Sequence, residues 1–315
     1  MRTLVFHSPD AVELVTVPTP EPGPGQALVR IEASGICGSE LHAADGANPG
    51  HEAAGIVESA PDGCGFAIGE RVGISAVTGC GDCRFCRRGE QIFCADVRVH
   101  ESMHADYVVV PARALRKLPA GISAGEAVLL TGDGLGVPIR ALRKVPHRPG
   151  ERVVVLGLGP VGLAHVLVRA RAGAEVIAIE PSEHRRELAR ALGATMVVAP
   201  GEDIGTPPGT VIECTGIPAC IQQAFDLVDA AGTVLQSGWC TAVQINPGAT
   251  VLSREVTYTG TWYYTDDDYP AMFQAYEDGL PVGLMTTHEF DADRIADAYR
   301  QFVSKESGKI ILNWA

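Results

Sequence analysis

A strand, a glycine-rich turn and a helix follow one another in the segment RVVVLGLGPVGLAHVLVRARAG, which begins at Arg152. A second strand, EVIAIE, and a second helix, SEHRRELARALG, come directly after it. Apolar strands that alternate with helices are typical of a parallel sheet covered by helices on both faces. The alternation continues through TVIECTG, the helix IPACIQQAFDLVDAAG and the strand TVLQSG. From about residue 150 the sequence therefore predicts an α/β domain with a doubly wound parallel sheet.

The turn after the first strand has the spacing G-x-G-x-x-G, with Gly157, Gly159 and Gly162. In such a turn the first glycine makes the bend and the second lets a pyrophosphate approach the backbone. The third allows close packing of a helix whose N-terminus faces the phosphates. Glu180 ends the next strand, where a carboxylate would hydrogen-bond the ribose hydroxyls of an adenosine. The pattern predicts a dinucleotide site, and the alternative is a tight turn without a ligand.

The choice between the two nicotinamide dinucleotides rests on the same strand end. The Glu180 carboxylate would repel a 2′-phosphate, which favours NAD over NADP. Arg185 and Arg186 lie close enough in sequence to leave NADP open, although their helix also fits an ordinary one with solvated charges.

The first 137 residues have a different texture. Short runs such as ALVRIEA, AAGIVES, ERVGISAV and ADYVVVP are separated by glycine and proline, which predicts β-rich structure. A chain of 315 residues is long enough for two domains. We place the boundary near 138–150, where ALRKVPHRPGE looks like a linker, and expect the apolar C-terminal run KIILNW to return to the first domain's sheet.

Four cysteines, Cys80, Cys83, Cys86 and Cys94, have the spacing C-x2-C-x2-C-x7-C. Four thiolates this close together can bind one tetrahedral zinc ion, and a site with no spare ligand position is structural. The bacterial iron–sulfur pattern needs a C-x3-C-P ending that this run lacks. We expect the neighbouring Arg84, Arg87 and Arg88 to offset the thiolate charge. The alternative is a surface loop with four free thiols.

A second group of metal-binding side chains lies in SGICGSELHAADGANPGHEAAG, which contains Cys37 and His51. A catalytic zinc usually has three protein ligands of mixed type and one open position. Asp133, between glycines in LLTGDGLG, is a candidate third ligand from a distant segment. Each of the three alone also fits a structural reading: a buried thiol, a hydrogen-bonded histidine and a helix cap.

Charge and composition exclude several classes of function. A net charge of −13 makes a nucleic-acid surface unexpected, because phosphate binding needs clustered Lys and Arg. No apolar run reaches the ~20 residues that span a bilayer, and the N-terminus lacks the pattern of a signal peptide. We therefore expect a cytoplasmic protein, in which its nine cysteines are thiols or metal ligands rather than disulfides.

Taken together, the motifs GICGSELH, GHEAAGIVE, the four-cysteine segment, GLGPVG and VIECTG resemble those of the zinc-dependent medium-chain alcohol dehydrogenases. The resemblance runs from the first strand to GKIILNW. It implies a GroES-like β-rich catalytic domain, residues 1–140 and 284–315 with a structural zinc lobe at 79–95. A Rossmann dinucleotide-binding domain, 141–283, is inserted in it.

The resemblance also implies roles for individual residues. Cys37, His51 and Asp133 would bind the catalytic zinc, with Glu52 beside it and able to approach the metal as ligands exchange. Ser39 would hydrogen-bond the substrate alcohol, and His42 would complete a proton relay, unless it is only a solvent-exposed loop histidine. The implied cofactor-binding residues are Gly157, Gly159, Pro160, Val161, Gly162, Glu180 and Arg185.

The implied activity is oxidation of a secondary alcohol, of polyol, sugar or cyclitol type, to a ketone with NAD and two zinc ions per chain. The alternatives are an NADPH-dependent carbonyl reductase of the same family and a non-catalytic NAD-binding redox sensor. The segment VLSREVTYTGTWYY resembles the edge strand through which relatives dimerise, so we expect a homodimer or homotetramer with a small-molecule substrate.

Three features depart from the family pattern or stand outside it. Only 13 residues lie between Cys37 and His51, which predicts an open substrate pocket or a wall supplied by a neighbouring subunit. We expect Trp239 to pack rather than to contact a ligand. The remaining cysteines are expected to be buried thiols: Cys64, Cys214, Cys220 and Cys240.

Overall fold

The computed structural model describes residues 1–314 and divides the chain into two compact units. Unit 1 comprises Met1–Gly136 and Tyr263–Ala315, and unit 2 comprises Val137–Trp262. We expected residues 263–283 in the dinucleotide domain, but their contacts lie in unit 1. The helix within them packs on a helix of unit 1, and Asp266 pairs there with Arg116. This helix follows the alternating strands and helices of unit 2 in the sequence, which suggested that it belongs to them. Its packing places it in unit 1 instead.

The N-terminal part of unit 1 is almost entirely β-structure, as predicted. Its strands are β1 (Arg2–Ser8), β2 (Ala11–Thr16), β3 (Gln26–Gly35), β4 (Ala53–Ser59), β5 (Arg71–Ile74), β6 (Val77–Thr78), β7 (Arg98–Val99), β8 (Tyr107–Pro111) and β9 (Leu115–Lys117). Helix α1 (Ala124–Thr131) follows, and Ser123 and Glu126 form a capping box at its N-terminus.

Gly132 is the C-cap of α1, and helix α2 (Asp133–Lys144) begins at the next residue. The linker predicted at 141–151 is therefore partly wrong, because its first four residues, Ala141 to Lys144, end this helix. Pro138 lies within the helix and made a helical interpretation less obvious from the sequence.

Unit 2 contains β10 (Arg152–Leu156), α3 (Pro160–Arg171), β11 (Glu175–Ile179), α4 (Glu183–Ala191), β12 (Met196–Val198), β13 (Thr210–Glu213), α5 (Pro218–Leu227), β14 (Thr233–Gln236) and β15 (Thr257–Gly260). Within the described residues these six strands form one parallel sheet in the order β12-β11-β10-β13-β14-β15. The chain moves outward from β10 to β12 and then returns to pair β13 with β10. Ligands of such sheets bind beyond the carboxyl ends of the strands at this switch point.

The C-terminal part returns to unit 1 with α6 (Tyr269–Glu277), β16 (Thr286–Asp291), α7 (Ile295–Val303) and β17 (Lys309–Asn313). As predicted, β17 joins the first sheet, where it pairs antiparallel with β3 and parallel with β16. In the described part of the chain this sheet has the order β16-β17-β3-β4-β5-β9, with β8 also on β3. No helix within residues 1–314 is both long and apolar enough to cross a membrane.

Candidate functional site

Three of the predicted metal ligands meet in unit 1. The Sγ atom of Cys37 lies 3.7 Å from Oδ2 of Asp133, and Nε2 of His51 lies 3.3 Å from the same oxygen. One residue, Ile36, separates Cys37 from β3, and one residue, Glu52, separates His51 from β4. The pairing of these two strands therefore brings Cys37 and His51 together. Asp133 is the first residue of α2, and it reaches them although 96 positions separate it from Cys37.

The hydrogen bonds of His51 show what this cluster needs. Its Nδ1 lies 2.9 Å from the carbonyl oxygen of Pro49, which only accepts, so Nδ1 must carry hydrogen. In a neutral ring Nε2 then presents a lone pair to the Asp133 carboxylate and the Cys37 sulfur. Three electron-rich atoms, Nε2 of His51, Oδ2 of Asp133 and Sγ of Cys37, thus face one another, and a cation between them would remove their mutual repulsion. In the cluster without a metal, burial lowers the pKa of His51, but Asp133 and Cys37 outweigh it and raise the pKa well above its ordinary value. The raised pKa means that without a metal His51 binds a second proton, at Nε2. A zinc ion can take the place of that proton, since thiolate, imidazole and carboxylate are all zinc ligands.

Glu52 belongs to the same cluster, since one ligand atom each from Cys37, His51 and Glu52 lies within 4.8 Å of the others. Both carboxylate oxygens already have partners. Oε1 accepts the backbone N–H of Gly134 at 3.2 Å, and Oε2 forms an ion pair with Lys309. Burial raises the pKa of Glu52 and Lys309 opposes that rise. Asp133 is thus the carboxylate directed at the other two ligands, while Glu52 lies beside them.

Lys309 is a site residue that our sequence analysis missed. It is 1% exposed, and a Cβ atom on Gly35 would lie 2.5 Å from its Cε. A lone lysine in the otherwise apolar run KIILNW was the available signal, because lysine is almost never fully buried unless it is paired.

Ser39 and His42 lie on one short turn after Cys37. The 3₁₀ helix Gly38–His42 carries both, and residues three apart in such a helix lie on the same side. The Ser39 hydroxyl donates to Cys37 Sγ at 3.3 Å, and both Ser39 and His42 are exposed. A proton reaching Ser39 is therefore close to solvent.

Backbone hydrogen bonds connect the short segment between Cys37 and His51 to β1. Phe6 donates its backbone N–H to Ala47, and Gly46 donates to Phe6, each at 2.8 Å. On the surface, His7 Nδ1 lies 2.7 Å from Asp45. These contacts show how a segment of this length is ordered within unit 1.

The four-cysteine segment is folded around a single point. One Sγ from each cysteine lies within 4.8 Å of the others, with Cys83 and Cys86 at 3.6 Å and Cys80 and Cys86 at 4.0 Å. Four sulfurs bonded tetrahedrally to zinc at ~2.3 Å would be about 3.8 Å apart, so the cluster fits a zinc ion. Backbone N–H groups of Asp82 and Cys83 lower the pKa of Cys80 to about 7, which favours the thiolate.

The arginines of this segment have other partners than we expected. Arg87 pairs with Asp82 at 2.8 Å and Arg88 with Glu90 at 2.6 Å, while the Arg84 guanidinium lies over the Phe85 ring at 4.6 Å. The expected offset of thiolate charge by these side chains is thus replaced by local ion pairs and stacking. Their carboxylate partners lie within two or five residues and compete for them at short range.

The glycine turn of unit 2 has the geometry that a dinucleotide requires. Gly157 has φ +85°, and a Cβ on Gly162 would lie 1.9 Å from the Gly157 carbonyl oxygen. A Cβ on Gly159 would meet no heavy atom within 4 Å, so the space beside it is open. Gly159 is the N-cap of α3, Pro160 is its first residue, and Val161 follows half-buried. The amino end of a 12-residue helix thereby faces the open space.

Glu180 lies directly beside this turn. Its carboxylate accepts the backbone N–H of Leu158 at 2.7 Å and that of Ser182 at 3.1 Å, and the residue is 4% exposed. Each carboxylate oxygen retains a further lone pair for a ribose hydroxyl. Arg185 is buried rather than solvated, and burial lowers its pKa while Glu180 opposes that fall. Arg186 donates to the carbonyl oxygens of Glu180 and Pro181.

Two expectations about single residues are wrong. Trp239 does not pack, because it is 81% exposed just beyond the carboxyl end of β14. Its backbone touches the neighbouring strand's loop, where a Cβ on Gly216 would lie 2.0 Å from the Trp239 carbonyl oxygen. Three of the remaining cysteines are half-buried rather than buried: Cys64, Cys220 and Cys240. For Cys214, burial raises the pKa of the thiol well above its ordinary value, as expected of a buried thiol.

Two family models match the chain. The alcohol dehydrogenase GroES-like domain matches residues 23–120, and the zinc-binding dehydrogenase model matches residues 160–278. L-threonine 3-dehydrogenase of Pyrococcus horikoshii is 31% identical over an alignment that covers 95% of this chain and 94% of that protein. The enzyme of the same name from Paraburkholderia xenovorans is 30% identical and covers 96% of this chain and 95% of its own length.

Solved structures agree with these matches. Alcohol dehydrogenase TADH from Thermus sp. ATN1 superposes with a TM-score of 0.91 at 28% identity, covering 100% of both chains. The 2R,3R-butanediol dehydrogenase of Bacillus subtilis gives 0.85 at 22% identity over 100% of this chain and 99% of its own, which concerns the fold alone. The predicted fold class, a GroES-like β-rich domain with an inserted Rossmann domain, is confirmed.

Proposed function

The chain belongs to the zinc-dependent medium-chain alcohol dehydrogenase family, and on that premise we propose that it oxidises a secondary alcohol to a ketone with NAD. The observation that carries the proposal is the convergence of Cys37, His51 and Asp133 beside the exposed hydroxyl of Ser39. A structural zinc would not need an open, solvent-facing side, and the four-cysteine segment already supplies a closed site.

We assign the catalytic zinc to Cys37, His51 and Asp133, and a structural zinc to the four cysteines. When bound, the catalytic zinc supplies Lewis-acid polarisation of the alcohol oxygen, and NAD supplies the hydride acceptor. Ser39 accepts the hydroxyl proton of the alcohol and passes it outward. His42, exposed on the same side of the turn, accepts it in turn and releases it to water.

Residues of unit 2 support the assignment of the cofactor. The turn at Gly157, Gly159 and Gly162 would hold the pyrophosphate at the start of α3, and the Glu180 carboxylate would accept hydrogen bonds from the adenosine ribose. The buried position of Glu180 beside the turn favours NAD, since a 2′-phosphate there would face a carboxylate that cannot move into solvent. Arg185 orients that carboxylate and so shapes the ribose site.

For the substrate we propose a small secondary alcohol of polyol, sugar or cyclitol type. Relatives named L-threonine 3-dehydrogenase support a secondary rather than a primary alcohol. A panel should therefore contain L-threonine and 2,3-butanediol beside sugar alcohols and cyclitols. Assembly as a dimer through β15, the edge strand of its sheet, is part of the proposal and is measured by light scattering.

The deciding experiment combines metal analysis with a turnover assay. Wild-type protein should contain two zinc ions per chain and reduce NAD with at least one alcohol of the panel. Cys37→Ser should lose one zinc ion and all activity, whereas Cys64→Ser, which changes a cysteine outside both clusters, should lose neither. One zinc ion in both wild type and Cys37→Ser would refute the catalytic site.

Two alternatives give different results in the same assays. A carbonyl reductase of this family would bind NADPH more tightly than NADH in a fluorescence titration and reduce ketones. A non-catalytic NAD-binding sensor would contain zinc and bind NAD, but leave every alcohol of the panel unchanged. The presence of Ser39 beside the ligand cluster favours the enzyme, because a sensor has no need for a proton acceptor there.

A further inference from the structure

A chain of buried polar side chains lies behind the Cys37 segment. The Trp314 indole nitrogen is 2.8 Å from the Ser34 hydroxyl, which is 2.8 Å from Nδ1 of His104. Nε2 of His104 is 3.1 Å from Oε2 of Glu40, and the Tyr299 hydroxyl is 2.6 Å from the same oxygen. None of the five residues is more than 4% exposed. No sequence motif predicted a role for any of them.

The chemistry of the groups fixes the direction of these hydrogen bonds. An indole N–H only donates, so the Ser34 oxygen accepts from Trp314 and its own hydrogen is available to Nδ1 of His104. His104 then carries its hydrogen on Nε2 and donates it to Glu40. Tyr299 donates to the same carboxylate, which as an anion only accepts. This arrangement uses the hydrogen of every donor named, which makes the network rigid.

The other end of the network reaches the metal ligands. Oε1 of Glu40 accepts the backbone N–H of Cys37 at 3.0 Å and lies 3.9 Å from Nδ1 of His51. His104 also packs against the segment that carries His51, because a Cβ on Gly50 would lie 2.6 Å from its ring. One histidine thus contacts both segments that bring the ligands together.

Burying a carboxylate with four polar partners is costly compared with packing apolar side chains there. We propose that Tyr299 and His104 are positioning residues, which act through Glu40 to hold the Cys37 turn in the geometry that binds the catalytic zinc. Strand β3 supplies Ser34, helix α7 supplies Tyr299 and the loop before β8 supplies His104. The inference rests on the proposed function, because it concerns the same metal site.

The first test changes a single hydroxyl group. Tyr299→Phe removes the donor to Glu40 and keeps the ring that contacts Phe6 and His104. The matched control is Tyr276→Phe, whose hydroxyl donates at 3.4 Å to Glu126, a carboxylate outside the site. Zinc affinity is measured by chelator competition, and Co²⁺ substitution reports thiolate coordination through its absorption spectrum.

We expect Tyr299→Phe to weaken metal binding at the Cys37 site by about 10- to 100-fold and to change the cobalt spectrum. The four-cysteine segment is an internal reference whose affinity should not change in either variant. His104→Gln, which retains an N–H donor toward Glu40, should bind zinc within a few-fold of wild type, whereas His104→Leu should resemble Tyr299→Phe.

Several outcomes would overturn the inference. If Tyr299→Phe and His104→Leu bind the second zinc ion as wild type does and lose only thermal stability, the network is merely structural. The same holds if His104→Gln is as impaired as His104→Leu. Failure of the proposed function looks different, since wild type itself would then bind a single metal ion, in the four-cysteine segment.

Discussion

The buried ion pair between Lys309 and Glu52 leads to a quantitative prediction. Lys309 is 1% exposed and Glu52 is not exposed at all, so neither charge can be hydrated if its partner is removed. Lys309→Met keeps an unbranched apolar side chain but leaves the Glu52 carboxylate with the Gly134 N–H as its remaining partner in the described residues. Breaking a buried pair on one side costs about 3–5 kcal/mol of the free energy of unfolding.

The double variant Lys309→Met, Glu52→Gln removes both charges. It therefore separates the destabilisation caused by one unpaired charge from the net contribution of the ion pair to the free energy of unfolding. Replacing both charges by neutral groups of similar shape is often close to neutral. We therefore expect the double variant to recover most of what Lys309→Met loses. The control is Lys117→Met, which breaks a surface pair with Glu70 and should cost less than about 1 kcal/mol.

Urea unfolding of the zinc-saturated protein measures these differences. Trp314 is 4% exposed in unit 1, so its fluorescence reports the unfolding of the unit that contains the pair. Trp239 and Trp262 are already 81% and 44% exposed and change less. Two results would contradict this reasoning. One is a loss below about 1 kcal/mol in the free energy of unfolding of Lys309→Met, and the other is a double variant whose loss equals the sum of those of the two single variants. Either would show that leaving one buried charge unpaired is not what destabilises the protein.

Four further predictions concern other parts of the molecule. Cys86→Ser should remove the structural zinc ion and lower the melting temperature while Cys64→Ser keeps both metal ions, as plasma emission analysis will measure; equal metal contents would contradict the four-thiolate site. Burial lowers the pKa of His165 to about 3, below ~6.5 in the unfolded chain, so the neutral ring stabilises the fold above pH 6.5 and this stability is lost as pH falls. At pH 5 the loss should be about 2 kcal/mol relative to pH 7 in wild type, and urea titrations of His165→Leu should lack that increment. Because Trp239 is exposed beyond β14, Trp239→Phe should weaken NADH binding several-fold in a calorimetric titration without changing the melting temperature, and an unchanged Kd would remove Trp239 from the cofactor site. Glu180→Ala should raise the Kd for NAD more than that for NADP, and equal effects on both would argue against ribose recognition by this carboxylate.

Interactions between residues close in sequence were predictable. The four cysteines lie within 15 residues, so short turns bring their sulfurs together whatever the rest of the chain does. The glycine turn at Gly157 likewise joins a strand and a helix that are adjacent in sequence. The apolar runs also predicted four strands of unit 2, β10, β11, β13 and β14, and its helices α3, α4 and α5. They did not predict β12, and the segment given for α5 extends to Gly232 whereas the helix ends at Leu227.

Contacts over long separations were decided by the tertiary structure. The sequence suggested Asp133 as a ligand only from its place between glycines and from the family resemblance, and neither shows that it lies near Cys37 and His51. The packing of α2 brings its carboxylate 3.3 Å from His51. The sequence around Lys309 predicts only that it lies in a strand, and the sequence around Tyr299 predicts only that it lies in a helix. Each becomes a partner of a buried carboxylate only when the C-terminal segment folds back on unit 1.

The sequence by itself determined the fold class, the two groups of candidate metal ligands and the glycine turn, because spacing and periodicity are local properties. Only the tertiary structure decided which carboxylate faces Cys37 and His51, which cation compensates Glu52 and which side chains fix Glu40. The physical reason is that a buried charge is tolerated only where partners surround it. Those partners come from the loop before β8, from α7 and from β17, which lie far apart in the chain.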